Sequence, residues 1–371
     1  MKKTPLYEVH QRLGAKLVEF AGYALPLYYT SIKEEHLAVR KGAGVFDVSH
    51  MGEFWIREAP SSPGEALAFL QYATTNDVAR LKVGRAQYSM LPNEQGGVVD
   101  DIYLYRTGPS EYLMVVNAAN REKDWAHLSR LKGGFRVELE DASERTALLA
   151  LQGPKAAEIL QGLVDEDLAS VTPKGRTSST PKGRTSRKKN DVFPAQVAGR
   201  RAWLARTGYT GEDGFEIFLE AEDAEAVFQA LLDRKAVPAG LGARDSLRLE
   251  AGFPLYGHEL TDETNPLCTP YAWVVKREKD FFGKEALLSR TCDQVLVGLV
   301  LEEGVPREGY PVLQGEGRTV GRVTSGGFSP VLGKGIALAY VEAQAEPPLF
   351  VEIRGQKKPA SLVKPPFVPL K

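Results

Sequence analysis

Cysteine is scarce. The 371 residues contain two, Cys268 and Cys292, in no C-x-x-C pair and no Cys/His cluster at metal-ligand spacing. That pattern argues against a disulfide framework and against a structural zinc site, and no metal is expected. Two unpaired thiols suit a reducing cytoplasm, and a cytoplasmic location is the expectation. No stretch approaches the roughly 18 apolar residues of a membrane span. The basic start, Met1-Lys2-Lys3-Thr4-Pro5, is followed by no apolar segment of the signal-peptide kind. An excess of one charge is missing too: 47 Lys and Arg face 48 Asp and Glu. A globally cationic nucleic-acid binder is not expected from that balance.

The common nucleotide and hydrolase signatures are also absent. Gly333-Lys334 lacks the upstream glycine of a phosphate loop, because Phe328 stands there, and Gly335 replaces the Ser or Thr. G-E-G-R-T-V-G (315–321) has the wrong spacing for a dinucleotide fingerprint. There is no G-x-S-x-G elbow and no H-E-x-x-H. Phosphoryl transfer, hydride transfer, acyl-serine chemistry and zinc hydrolysis lose their usual support. The five histidines are scattered, and none is assigned a catalytic role.

What is present is a mixed pattern long enough for two or three domains at roughly 150 residues each. Thr4-Pro5 starts a helix that Gly14 ends, and 15–21 alternates like a strand. Ser31 and Glu34 form a capping box ahead of a helix reaching about Lys41. Residues 45–56 read as one strand. From 57 to 143 the order is helix, hairpin, strand, helix, strand, with N-E-Q-G-G (93–97) as the hairpin turn. That order predicts an α+β unit with an antiparallel sheet. Helices and strands alternate again over 146–256. Beyond about 278, short strands with Gly and Pro turns predict a small β-barrel. One segment stands apart: T-P-K-G-R-T-S occupies 172–178 and recurs at 180–186, followed by Arg187-Lys188-Lys189. Its composition reads as a solvated basic loop, and no aromatics are interleaved to stack bases.

Three polar clusters carry candidate chemistry. In G-G-V-V-D-D (96–101), Asp100 and Asp101 must point to opposite faces of a strand. A carboxylate in a half-desolvated cleft is a natural proton acceptor; two solvated acids at a turn exit are the plainer alternative. In R-T-G-Y-T-G-E-D-G-F-E (206–216), three glycines permit tight turns against a ligand or another loop. Glu216 could accept hydrogen bonds from a heterocycle's N–H groups, or be an exposed edge charge. In G-L-G-A-R-D-S-L-R-L-E (240–250), Arg244 offers a planar fork for a carboxylate. An intrahelical network with Arg248 and Glu250 is the alternative.

Taken together, the ordered strings resemble the glycine cleavage T-proteins, a family of folate-binding aminomethyltransferases. The resemblance spans nearly the whole chain. It rests on T-P-L-Y-E-V-H (4–10), P-L-Y-Y-T-S-I (26–32), F-D-V-S-H-M-G-E (46–53), G-G-V-V-D-D, V-V-N-A-A-N (115–120), the 206–216 and 240–252 motifs, G-H-E-L (257–260), W-V-V-K (273–276) and T-S-G-G-F-S-P (324–330). F-D-V-S-H also resembles the folate domains of sarcosine and dimethylglycine dehydrogenases. Relatives that assist iron–sulfur assembly carry K-G-C-Y-x-G-Q-E, but Gly208 stands here where their cysteine would be.

The resemblance implies an α+β fold, a three-domain cloverleaf around a central folate pocket. Residues 1–56 with 144–277 would form a discontinuous first domain, 57–143 a ferredoxin-like second, and 278–371 a barrel or jelly-roll-like third. It implies tetrahydrofolate as co-substrate and, as partner, a carrier protein (the H protein) with an aminomethyl-loaded dihydrolipoyl arm. Asp101 matches the family's catalytic aspartate. Glu216 matches a pterin ligand, and Tyr88, Tyr105, Asn117 and Tyr209 match pocket positions. Arg244 matches an arginine near the folate tail. A demethylase acting on a small methylated substrate and a non-enzymatic folate-binding protein are the rival readings. The chain departs from the family at the 172–186 repeat, where an apolar, tyrosine-containing strand is usual. It departs again at the end, where Phe367-Val368-Pro369-Leu370-Lys371 replaces a Phe-Tyr-Arg segment whose arginine can reach the folate, so that contact is either missing or supplied by Lys371.

Overall fold

The computed structural model of the chain describes residues 1–169 and 187–371. The basic repeat at 172–186 lies outside the described residues. Local signals place the first elements. Helix Ile32–Lys41 begins at Ser31, whose hydroxyl accepts the Glu34 backbone N–H, closing one orphan donor of the first turn. The stretch 45–56, read as one strand, divides in two. Gly44–Asp47 and Gly52–Glu58 are separate strands with a turn at residues 48–51, and they enter different sheets. Both halves are apolar enough to be strand, so composition could not mark the break.

Among the described residues four β-systems result. A six-stranded sheet runs in the order Val192–Val197, Arg200–Ala205, Gly214–Glu220, Thr146–Gln152, Gly44–Asp47, Val237–Pro238. A five-stranded antiparallel sheet runs Arg85–Pro92, Val98–Gly108, Glu111–Val116, Gly52–Glu58, Val137–Asp141. Six strands between Gln294 and Val363 close a barrel. The closing strand, Gln356–Val363, pairs on both sides. A short three-stranded sheet at the N-terminus completes the chain.

The two large sheets each bury one face against their own helices. The six-stranded sheet packs on the helices Ala156–Gln161 and Ala224–Asp233 through Leu149, Leu151, Ile217 and Phe228. The five-stranded sheet packs on Glu65–Ala73 and Arg121–Lys132 through Phe54, Ile56, Phe69 and Leu128. Their other faces meet in a shared core containing Phe46, Tyr105, Val115, Ala150 and Phe218. Non-polar residues on both faces explain the near-continuous run T-A-L-L-A-L-Q of the central strand.

Gly97 shows how tightly the hairpin at 93–97 is held: a Cβ there would strike the Asp262 carbonyl oxygen. That contact fixes the strand on which Asp100 and Asp101 sit.

The two cysteines require a correction. Cys268 and Cys292 are joined in a disulfide, with Cα atoms 5.5 Å apart. They lie 24 residues apart in sequence, a separation that says nothing of distance once the intervening loop folds back. The thiol argument for a reducing compartment falls with it. Closing a loop of that length is worth about 3 kcal/mol through the unfolded state. Thiol titration of the unfolded, unreduced protein should therefore return no free thiol, and reductant should lower the thermal midpoint by several degrees. No described helix is long and apolar enough to cross a membrane.

Candidate active site

The shared face of the two sheets gathers the polar residues. Asp101 lies on Val98–Gly108 opposite Met90, with Tyr88 two residues along that neighbouring strand and Asn117 just past the end of Glu111–Val116. The Tyr88 hydroxyl donates to Asp101 Oδ2 at 2.9 Å, and Asn117 Nδ2 donates to Oδ1 at 2.8 Å. The same Asn117 nitrogen lies 2.7 Å from Asp100 Oδ1. Strand alternation sends Asp100 the other way, where it is fully buried. The two-solvated-acids alternative is thus excluded. Burial and the adjacent Asp100 charge push the Asp101 carboxyl up to about 7, against the opposing hydrogen bonds from Tyr88 and Asn117. A carboxylate of that kind changes its charge near neutrality, which suits a proton acceptor.

A second group surrounds Glu216. The Thr207 hydroxyl donates to its Oε1 at 2.5 Å and the Tyr105 hydroxyl lies at 3.4 Å. Burial raises the Glu216 carboxyl, while Thr207, Arg244 and Tyr105 oppose the rise. Gly208 and Gly214 serve the protein itself, since a Cβ on either would strike the Gln152 side chain. The tight turns of the motif therefore close against another strand.

Arg244 belongs to the third group. Among the described residues it makes no ion pair; its guanidinium lies 4.7 Å from the centre of the Tyr209 ring. Burial pulls its pKa down, against the attraction of Tyr209 and Glu216. The intrahelical network does not form: Arg248 pairs with Asp245 and Glu259, and Glu250 with His36 and Arg40. Tyr209 feels the charges of both Asp101 and Arg244, so it stands between the first and third groups. All seven candidate residues thus face one region. A partly buried guanidinium with no acid of its own among the described residues has the chemistry to take an anionic ligand group.

Sequence reasoning passed over several neighbours. Tyr103 sits between Tyr88 and Tyr105, with ring centres at 6.1 and 5.7 Å. Trp273 lies 6.0 Å from Tyr88 while 56% exposed. The rings are tilted to one another by 36° to 47° and form an aromatic row against which a conjugated ring can pack; the aromatic pattern Y-x-Y (103–105) was its only sequence signal. Lys371 does not reach toward Arg244: its Nζ lies 3.5 Å from Glu212 Oε1. No cluster of His, Cys, Asp and Glu among the described residues could hold a metal ion.

This architecture of two face-sharing sheets and a closed barrel, with an acid–tyrosine–asparagine group between them, has clear relatives. Residues 6–279 match the GCVT N-terminal domain, and residues 294–369 match the glycine cleavage T-protein C-terminal barrel domain. The chain belongs to the glycine cleavage T-protein family. It is 71% identical over 371 residues to an Aminomethyltransferase of Thermus thermophilus, covering 100% of both chains. It is 55% identical over 370 residues to that of Deinococcus deserti, covering 99% of this chain and 97% of the relative. The structure of glycine cleavage system aminomethyltransferase T from Bartonella henselae superposes with a TM-score of 0.87 at 36% identity, covering 100% of this chain and 99% of that one.

Proposed function

We propose that this chain is the aminomethyltransferase of the glycine cleavage system. It is a transferase, and its family uses tetrahydrofolate as co-substrate. In our reading the donor is an aminomethyl group on the dihydrolipoyl arm of the H carrier protein. The carbon passes to folate, giving 5,10-methylenetetrahydrofolate and ammonia. The observation that carries the reading is full-length identity of 71% to an Aminomethyltransferase.

The roles of the residues follow from their chemistry. Folate N5 attacks the carbon of the S–CH2–NH2 donor and loses its proton as ammonia leaves. The C–S bond then breaks to an N5 iminium cation, which N10 closes while its proton returns the lipoyl sulfur as a thiol. Burial and the Asp100 charge poise Asp101 near neutrality; it takes the N5 proton and stabilises the cation. Tyr88 and Asn117 hold its carboxylate in place. Glu216 would accept the pterin's N–H groups, beside the row of Tyr103 and Tyr105. Arg244 and Tyr209 would take the negative tail of the folate.

The test of the reading is ammonia release from an aminomethyl-loaded lipoyl carrier, with and without tetrahydrofolate. Rapid release that needs both establishes the transfer. Folate binding without release would instead favour a demethylase or a binding protein.

Glu216→Gln tests the pterin contact. Loss of a charged hydrogen bond worth about 1.5–3 kcal/mol should raise the folate Kd roughly 10- to 100-fold. Turnover at saturating folate should fall much less. Isothermal titration measures the first quantity, and an unchanged Kd removes Glu216 from the site.

A further inference from the structure

Behind Asp101 lies an acid that the mechanism does not use. Asp124, on helix Arg121–Lys132, is fully buried. Among the described residues no group donates a hydrogen bond to either of its oxygens. Its neighbour is the carboxyl of Asp100, also fully buried and within hydrogen-bond reach. Two carboxyls facing each other away from water cannot both be ionised; they share a proton.

The surroundings decide which acid keeps it. Asp100 receives three donors: the Asn117 backbone N–H at 3.1 Å, Asn117 Nδ2 at 2.7 Å and Asn120 Nδ2 at 2.8 Å. Asp124 receives none. The nearest cation, Lys123, is drawn away to the Tyr256 hydroxyl at 2.9 Å and to Asp262 at 3.2 Å. The proton therefore belongs on Asp124 and the charge on Asp100.

We propose that Asp124 is a positioning residue that keeps a proton and donates a hydrogen bond through it to Asp100, fixing Asp100 as the anion that anchors Asn117 against Asp101. One amide nitrogen bridges the two aspartates, so the orientation of the Asp101 carboxylate depends on an acid two layers behind it. The Asp100 charge also keeps Asp101 from ionising at low pH. Burial and Asp100 push the Asp124 carboxyl up to about 12, so the proton stays through the physiological range. The groups facing Asp101 itself are Tyr88 from the adjacent strand, Asn117, Asp100 and Tyr209; none of these tyrosines ionises near neutrality.

The kinetic arm of the test rests on the aminomethyltransferase reading; the spectroscopic arm does not. Infrared difference spectra of the wild-type protein in alkaline buffer should show a protonated-carboxyl stretch that Asp124→Asn removes. The same substitution should leave the acidic limb of the kcat profile where it is, because it exchanges one neutral donor for another. Asp100→Asn should move that limb to lower pH by about one unit, since a like charge beside Asp101 is gone. Asp124→Leu should lower kcat roughly 10- to 100-fold, the scale for loss of support behind a reacting group, with the folate KM within a factor of about two. An alkaline spectrum without the band, or a limb that falls in Asp124→Asn, would mean that Asp124 is ionised and would overturn the proposal. Should Asp124→Leu not fold, the spectrum and the Asp124→Asn profile still decide. Should the protein release no ammonia, the spectrum alone still decides.

Discussion

Asp101→Asn is expected to lower the rate of ammonia release roughly 10²- to 10⁴-fold, the usual worth of a positioned proton acceptor. Asparagine keeps the shape and can still accept from Tyr88, so the folate Kd should change little. The split matters: an effect on kcat without one on Kd separates a proton acceptor from a binding residue. In the wild-type protein the same carboxyl stands near 7 because of burial and Asp100. Only its ionised form accepts a proton, so the rate should fall tenfold per pH unit below about 7. The limb should vanish in Asp101→Asn. Stopped-time ammonia assays across pH check both, and near-wild-type turnover in the variant would refute the assignment.

The largest stability effect is expected at Arg248. Its guanidinium is 1% exposed and reaches Glu259 at 2.8 Å, Ser325 Oγ at 2.8 Å and the Phe253 carbonyl at 3.1 Å. Glu259 is 0% exposed and also accepts from Ser325 Oγ at 2.7 Å. Arg248→Met keeps most of the volume but leaves Glu259 as a buried charge without a cation. Breaking one side of a buried pair typically costs about 3–5 kcal/mol. Urea unfolding should show that loss, and Arg248→Met with Glu259→Gln should recover part of it. A single variant within about 1 kcal/mol of wild type, an uncertainty typical of such extrapolations, would mean that water reaches the pair.

Much of the molecule was legible where the local physics was strong. The Ser31 cap, the N-E-Q-G-G hairpin and the short barrel strands each obey a local rule, and each stands where that rule puts it. The candidate residues were legible in part. Alternation along a strand separates Asp100 from Asp101, but it cannot say which one meets a cleft. The resemblance singled out Asp101, Glu216 and Arg244 where spacing alone left alternatives open. What failed to show was non-local. Cys268 finds Cys292 only after a loop returns. Asp124 reads in R-E-K-D as part of a solvated charge run, and only the packing of its helix on the five-stranded sheet buries it. Thr146–Gln152 has no alternation to read, because both of its faces are covered.

Helix Leu241–Glu250 contributes Arg244 to the candidate site and, one turn on, Arg248 to the anchor of the barrel. Glu250, at its end, accepts from Ser329 of the same barrel strand. The helix is thus an axle shared by two wheels: its roll angle cannot change at one end alone. A barrel substitution that loosens Ser325 or Ser329 would turn Arg244 out of the candidate site while the two sheets stay folded. Lesions far from the chemistry, in a domain that holds none of the candidate residues, would then present as lost affinity for the anionic end of the ligand.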